Sequence, residues 1–147
     1  MTAAAGSAAL LLGAFVFQAL GYAPCAMCIW QRYPHAIAIG MGALLLFALP
    51  ILPILIIGAL SVLSTSALGV FHTGVERGWW EGPTACSGTT DITTLSPSAA
   101  LDAIMAAPVV RCTDVAWEML GLSMASWNAV FSFALAALWI VAMRRQA

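Results

Sequence analysis

Charge is what this chain has least of. Only 7% of its 147 residues are charged, the formal net charge is −1, and 63% of the residues are hydrophobic. At a mean hydropathy of +0.99 there is too little polar surface to cover a water-soluble globule. That excludes a soluble enzyme or regulator and makes a bilayer the expected solvent. No nucleic-acid partner is expected. Internal repeats are missing, so no repeat architecture is read. The first apolar run also lacks a basic segment ahead of it and a convincing small-x-small cleavage site before Cys25. It is therefore expected to stay attached rather than to act as a cleaved signal peptide.

Long apolar runs are what the sequence does contain. A spanning helix needs roughly 20 apolar residues, and four stretches qualify: 3–22, about 30–49, 51–72 and about 122–143. The expected fold is an all-α membrane protein, one domain over residues 1–147. It is a four-transmembrane-helix bundle with a long outer loop, 73–121. Gly40, Gly42, Gly58 and Gly69 are expected to let helices approach closely, and Ser61, Ser64, Thr65 and Ser66 to pack or bond between them. Pro50-Ile51-Leu52-Pro53 reads as a tight turn, and His72 as the outer end of the third span. In the loop, Ser96-Pro97 starts a short helix that ends at Pro108. Its Leu101, Ile104 and Met105 are expected in the membrane interface, with Asp102 facing water. Residues 114–121 are read as a helical turn ending at Gly121. Trp79, Trp80, Trp117 and Trp127 are read as headgroup-layer anchors.

Arg144 and Arg145 place the C-terminus in the cytoplasm by the positive-inside rule, and an even number of spans brings the N-terminus there too. The seam between spans one and two then faces outward with the loop. All six acidic residues fall in 73–121, opposed only by Arg77 and Arg111, which suits an exported segment. Arg32, near the outer end of its helix, departs from the charge rule, and that departure is a functional signal.

The seam carries Cys25-Ala26-Met27-Cys28. Pro24 favours a helix start here, so both sulfurs sit near a helix N-terminus, whose partial positive charge stabilises a thiolate. Arg32 follows Cys28 by one turn and shares its face. Four cysteines in an oxidising compartment leave three pairings open. A Cys25/Cys28 ring closes too little chain to add much stability, so the spacing favours redox chemistry over stapling. Cys86 and Cys112 lie in a loop with Gly and Pro, which suits exchange with another protein's thiol.

Taken together, these motifs resemble the disulfide bond formation protein B (DsbB) family. The likeness rests on Pro24-Cys25-x-x-Cys28 with Arg32, on His72-Thr73, on Cys86 and Cys112, and on the stretch from Trp117 to Trp127. It implies a protein-dithiol:quinone oxidoreductase in a bacterial inner membrane, with its cysteines facing the periplasm. A Cys86/Cys112 disulfide would oxidise a DsbA-like thioredoxin-fold protein, with Cys86 the sulfur attacked. Exchange through a Cys25/Cys112 link would reduce Cys25/Cys28, and Cys28 would pass the electrons to ubiquinone or menaquinone. Arg32 and His72 would bind that quinone, and no metal is implied. Gln31 stands where an acidic residue is expected before the arginine. His35 reads as a packing or interface residue.

Three other readings are distinguishable from this one. A vitamin K epoxide reductase-like enzyme would place its loop cysteines before the Cys-x-x-Cys, whereas here they follow. A zinc site of four cysteines lacks a second Cys-x-x-Cys. An inert disulfide-stapled scaffold would show only lower stability in Cys28→Ser, where the enzyme would lose quinone reduction.

Overall fold

A computed structural model of the chain describes residues 1–47, 50–83, 86, 95–106 and 110–146. Four long helices build it: α1 (Thr2–Ala19), α2 (Ala26–Leu44), α3 (Ile51–Glu76) and α5 (Met124–Arg144), with the short α4 (Pro97–Ala106) between the last two. Helix α3 packs on α2 and α5, and α1 closes the ring by packing on the same two helices. Among the described residues α1, α3 and α5 are long and apolar enough to cross a membrane. At 19 residues α2 is comparable in length, but Gln31, Arg32, Pro34 and His35 interrupt its apolar character.

The bundle interior at one end is small and tightly fitted. Ala3, Ala4, Ala38, Leu55, Ala59, Val62, Ala136 and Trp139 form its core. The outward faces carry Leu12, Phe15, Ile37, Ile56, Leu60, Phe133 and Val141, all exposed. Apolar surface of that extent needs lipid to cover it. Gly42 lies against Ala4, Gly58 against the Trp139 ring, and Gly69 against the first turn of α5. Gly40, expected to act the same way, faces open space. The hydroxyls divide between two uses. Ser61 and Ser64 bond back to Ile57 and Leu60 at 2.8 Å, while Thr65 donates to the Gln31 carbonyl at 3.0 Å and Ser66 to that of Ala129 at 2.9 Å.

Several boundaries differ from those expected, each for a local reason. Pro24 lies just outside α2 rather than in its first turn. Cys25 is the N-cap, its Sγ accepting from the Cys28 N–H at 3.3 Å. Helix α2 therefore starts near the dithiol instead of at residue 30, and it stops at Leu44. Pro50 caps α3, and Pro53 sits in its first turn, where a missing N–H is harmless. Helix α3 runs on past His72 to Glu76, so residues 73–76 belong to the helix and not to the loop. Its stop signal is Gly78, at φ 67°, with the Trp79 N–H bonding back to Gly74 O at 2.8 Å.

The fold is mostly helical rather than wholly so. Residues 118–123 form a two-stranded antiparallel hairpin, β1 (Glu118–Met119) and β2 (Leu122–Ser123), where a helical turn was expected. Leu120 and Gly121 both adopt positive φ, 55° and 75°, as a two-residue hairpin turn demands. Trp127 Nε1 holds the hairpin by donating to Met119 O at 3.1 Å. Ser96 does cap α4, accepting from Ala99 N at 3.4 Å, and Leu101, Ile104 and Met105 are exposed along it. Pro108, its expected terminator, lies outside the described residues. Trp80 stacks on Phe71 and covers Gly74, and both Trp79 and Trp80 remain exposed.

Candidate functional site

The four cysteines meet at one end of the bundle. Cys86 and Cys112 form a disulfide. Cys25 and Cys28 are free thiols with sulfurs 3.1 Å apart. Cys25, Met27, Val75, Cys86 and Cys112 make one buried cluster, against which Cys28 and Val110 pack. Residues far apart in the chain are joined here because the α1–α2 seam and the last turns of α3 end at the same level.

The seam dithiol faces two ways. Cys25 is turned into the cluster that holds the disulfide, and it is 4% exposed. Cys28, one turn on, lines a cavity of about 310 Å³. That cavity is walled by apolar side chains of α1, the seam, the hairpin and α5, among them Phe17, Tyr22, Trp117, Trp127 and Phe131. Trp117 and Trp127 are thus wall residues of the cavity. Polar atoms enter the cavity lining from Gln31, Arg32, His35 and Asn128. Arg32 donates to Gln18 Oε1 at 2.6 Å and to Ala14 O at 3.4 Å, and its guanidinium lies 4.8 Å from the Phe15 ring centre. Those contacts pin the cation to α1 and leave its Nε without a partner among the described residues.

His72 stands on the other side of the dithiol. Expected beside Arg32 as a cofactor contact, it does not line the cavity. It is 2% exposed, with Nε2 3.5 Å from Cys25 Sγ and 3.8 Å from Glu76 Oε1. The backbone of Cys112 also reaches this ring. Gln31 Nε2 meets its other nitrogen, Nδ1, at 3.0 Å. Nε2 is thus the ring nitrogen aimed at the sulfur.

The thiol of Cys25 is held well below its ordinary pKa. The Cys28 thiol beside it is the largest cause, and the hydrogen bond and charge of His72 add to it against the opposing effect of burial. A depressed pKa keeps the thiolate, the reactive form, populated as pH falls. Alkylation of Cys25, followed by site-resolved mass spectrometry, is expected to change little between about pH 6 and 8. In His72→Leu the same rate should fall toward the acid side, as for a thiol whose pKa has moved back toward about 8.5. Parallel pH profiles in the two proteins would refute this role of His72.

Gln31, Thr65, Glu76 and Asn128 were not singled out as site residues from sequence. Glu76 had a signal, being one helical turn after His72. Its carboxylate also accepts from Ser123, which ties α3 to the hairpin. Asn128 is the lone amide in an apolar helix, which is itself a signal in a membrane. Donor atoms of Cys25, Cys28 and His72 lie within 4.8 Å of one another, so the trio is also a possible soft-metal set. The four-cysteine zinc site weighed above is not formed, since two of its ligands are in the disulfide.

A dithiol capped on a helix N-terminus, backed by an imidazole and packed against a second disulfide, is equipped for thiol–disulfide exchange. Comparison with known proteins agrees. An uncharacterized protein of Rickettsia prowazekii (strain Madrid E), RP370, is 30% identical over 117 residues, covering 78% of this chain and 67% of that protein. No solved structure matches. The family model described as "Disulfide bond formation protein DsbB" matches residues 1–142. On that match, which takes in both cysteine pairs, this chain belongs to the DsbB family of membrane oxidoreductases of disulfide bond formation.

Proposed function

We propose that the protein reoxidises a periplasmic DsbA-like thioredoxin-fold protein and passes the electrons to a membrane quinone, ubiquinone or menaquinone. The observation that carries this reading is the division of the seam: Cys25 is packed with the Cys86–Cys112 disulfide while Cys28 lines a cavity. The dithiol of the partner reduces Cys86–Cys112 and leaves as a disulfide. The two loop thiols then reduce a Cys25–Cys28 disulfide and reform their own bond, through a Cys25/Cys112 link. A loop disulfide beside a seam dithiol, as found here, is the state that results. His72, which touches Cys25 Sγ and the Cys112 backbone, is placed to steady the thiolate in that exchange.

The cavity fits a quinone, being largely apolar with buried, unpartnered nitrogens of Arg32 and His35 on a wall shared with Cys28. A bound quinone supplies a two-electron, two-proton acceptor. Arg32 would hold its oxygen and favour the Cys28 thiolate. With α2 as the fourth span, both termini lie in the cytoplasm and all four cysteines face the periplasm of a bacterial inner membrane, α4 resting in its interface.

Purified protein is mixed with a reduced thioredoxin-fold protein and a soluble quinone, and turnover is followed by quinone absorbance. Cys112→Ser is expected to lose at least about a hundredfold with the protein substrate, yet to retain turnover with a small dithiol that reaches the seam directly. Equal loss with both substrates would remove the loop disulfide from the pathway. Absence of any turnover, together with stoichiometric zinc by elemental analysis, would favour a metal held by Cys25, Cys28 and His72.

A further inference from the structure

Buried amides and rings form one continuous line between the two faces of the dithiol, and its polarity can be read. Gln31 Nε2 lies 3.3 Å from the Met27 carbonyl and 3.0 Å from His72 Nδ1. A carbonyl accepts only, so the Gln31 amide group faces that way and its Oε1 turns to Asn128. Asn128 Nδ2 then donates to Gln31 Oε1 at 2.7 Å and to Thr65 Oγ1 at 3.1 Å. Thr65 agrees, its own proton being spent on the Gln31 carbonyl at 3.0 Å. Asn128 Oδ1 is left as an acceptor, and His35 Nε2 stands 2.9 Å from it. His35 therefore carries its proton on Nε2, and its Nδ1 bears a bare lone pair. Turning any one amide over would set oxygen against oxygen.

The ring that carries that lone pair borders the cavity. His35 is 3% exposed, lines the cavity, and its Nδ1 has no partner among the described residues. On α2, Cys28, Arg32 and His35 follow at i, i+4 and i+7, one stripe along the wall. The stripe offers a free N–H donor at Arg32 Nε and, one turn deeper, a free acceptor at His35 Nδ1. An oxidised quinone presents only acceptor oxygens, which a bare nitrogen repels. A hydroquinone presents hydroxyl protons.

Resting on the quinone reading above, we infer that His35 is a specificity residue that accepts a hydrogen bond from a hydroxyl of the reduced quinone, so that the cavity favours the hydroquinone at this position. Asn128 is the positioning residue that sets the tautomer.

The test uses the full-length chain carrying Cys28→Ser, which cannot turn over, titrated with a short-chain benzoquinone and separately with its hydroquinone. Binding is followed by quenching of the wall tryptophans Trp117 and Trp127. His35→Phe is expected to weaken the hydroquinone about tenfold, the worth of one buried neutral hydrogen bond, and to leave the quinone within about twofold. His35→Gln keeps an N–H for Asn128 and a carbonyl acceptor, and should restore most of the hydroquinone affinity. Asn128→Leu, which frees the tautomer, should narrow the gap between the two ligands. Equal losses for both ligands in His35→Phe, an unchanged hydroquinone affinity, or no recovery in His35→Gln would overturn the inference while leaving the quinone reading in place. If the parent chain binds neither ligand, both fall.

Discussion

Cys28→Ser should abolish quinone-dependent turnover, lowering kcat/KM by more than about a thousandfold, because among the described residues no other thiol borders the cavity. Serine keeps the size and a weak hydrogen bond to Cys25 but cannot form the second disulfide. The block falls at the exchange step, since without Cys28 there is no seam disulfide for the loop thiols to reduce. The variant should oxidise at most one partner molecule per chain and then stop with Cys86 and Cys112 as thiols, counted by alkylation and mass. Cys25→Ser should lose turnover equally, for the same reason. Helix α2 and the Cys86–Cys112 disulfide do not depend on the Cys28 sulfur, so thermal unfolding in detergent should move little. Turnover by Cys28→Ser within tenfold of the parent would end the proposed electron path.

Gly69→Val should be strongly damaging to the bundle. A side chain there would stand 2.9 Å from the Ala125 carbonyl oxygen and 3.0 Å from Ala129 N, backbone atoms of the first turns of α5 that no rotamer can move aside. The helices must separate, and two hydrogen bonds go with them: Ser66 to Ala129 O and Thr73 to Ser126, each 2.9 Å. Overpacking plus stranded hydroxyls is worth about 3 kcal/mol or more, or on the order of 10 °C in Tm for a chain of this size. Gly40→Val is the control, since nothing lies within 4 Å of its added carbon. A differential scan showing the two variants alike would refute the α3–α5 contact as a tight point of the fold.

Four cysteines in a fixed order, an arginine one turn past the second, and apolar runs of membrane length were all legible along the chain. Each is a local property: a run either has the length and apolarity a bilayer demands or it does not, and residues spaced by four on a helix share a face wherever the helix lies. The N-cap role of Ser96 was legible for the same reason. Local reading failed where two signals competed. Gly121 suited a helix C-cap and a hairpin turn equally, and pairing of Glu118 with Ser123 decided it. His72 read as a helix end because its partners, Gln31 and Cys25, lie on another helix and in the seam.

The division of labour at the seam belongs to the tertiary structure alone. Nothing in Cys-x-x-Cys says which sulfur meets the disulfide and which the cavity; the packing of α2 between α1 and α3 does. The amide line from His72 to His35 is likewise unreadable from sequence, because Gln31 and Asn128 come together only when α2 and α5 approach. Sequence determined a membrane dithiol oxidoreductase because length, apolarity and thiol spacing act within one segment. Direction and protonation were decided by the fold, because hydrogen bonds between helices depend on which faces meet.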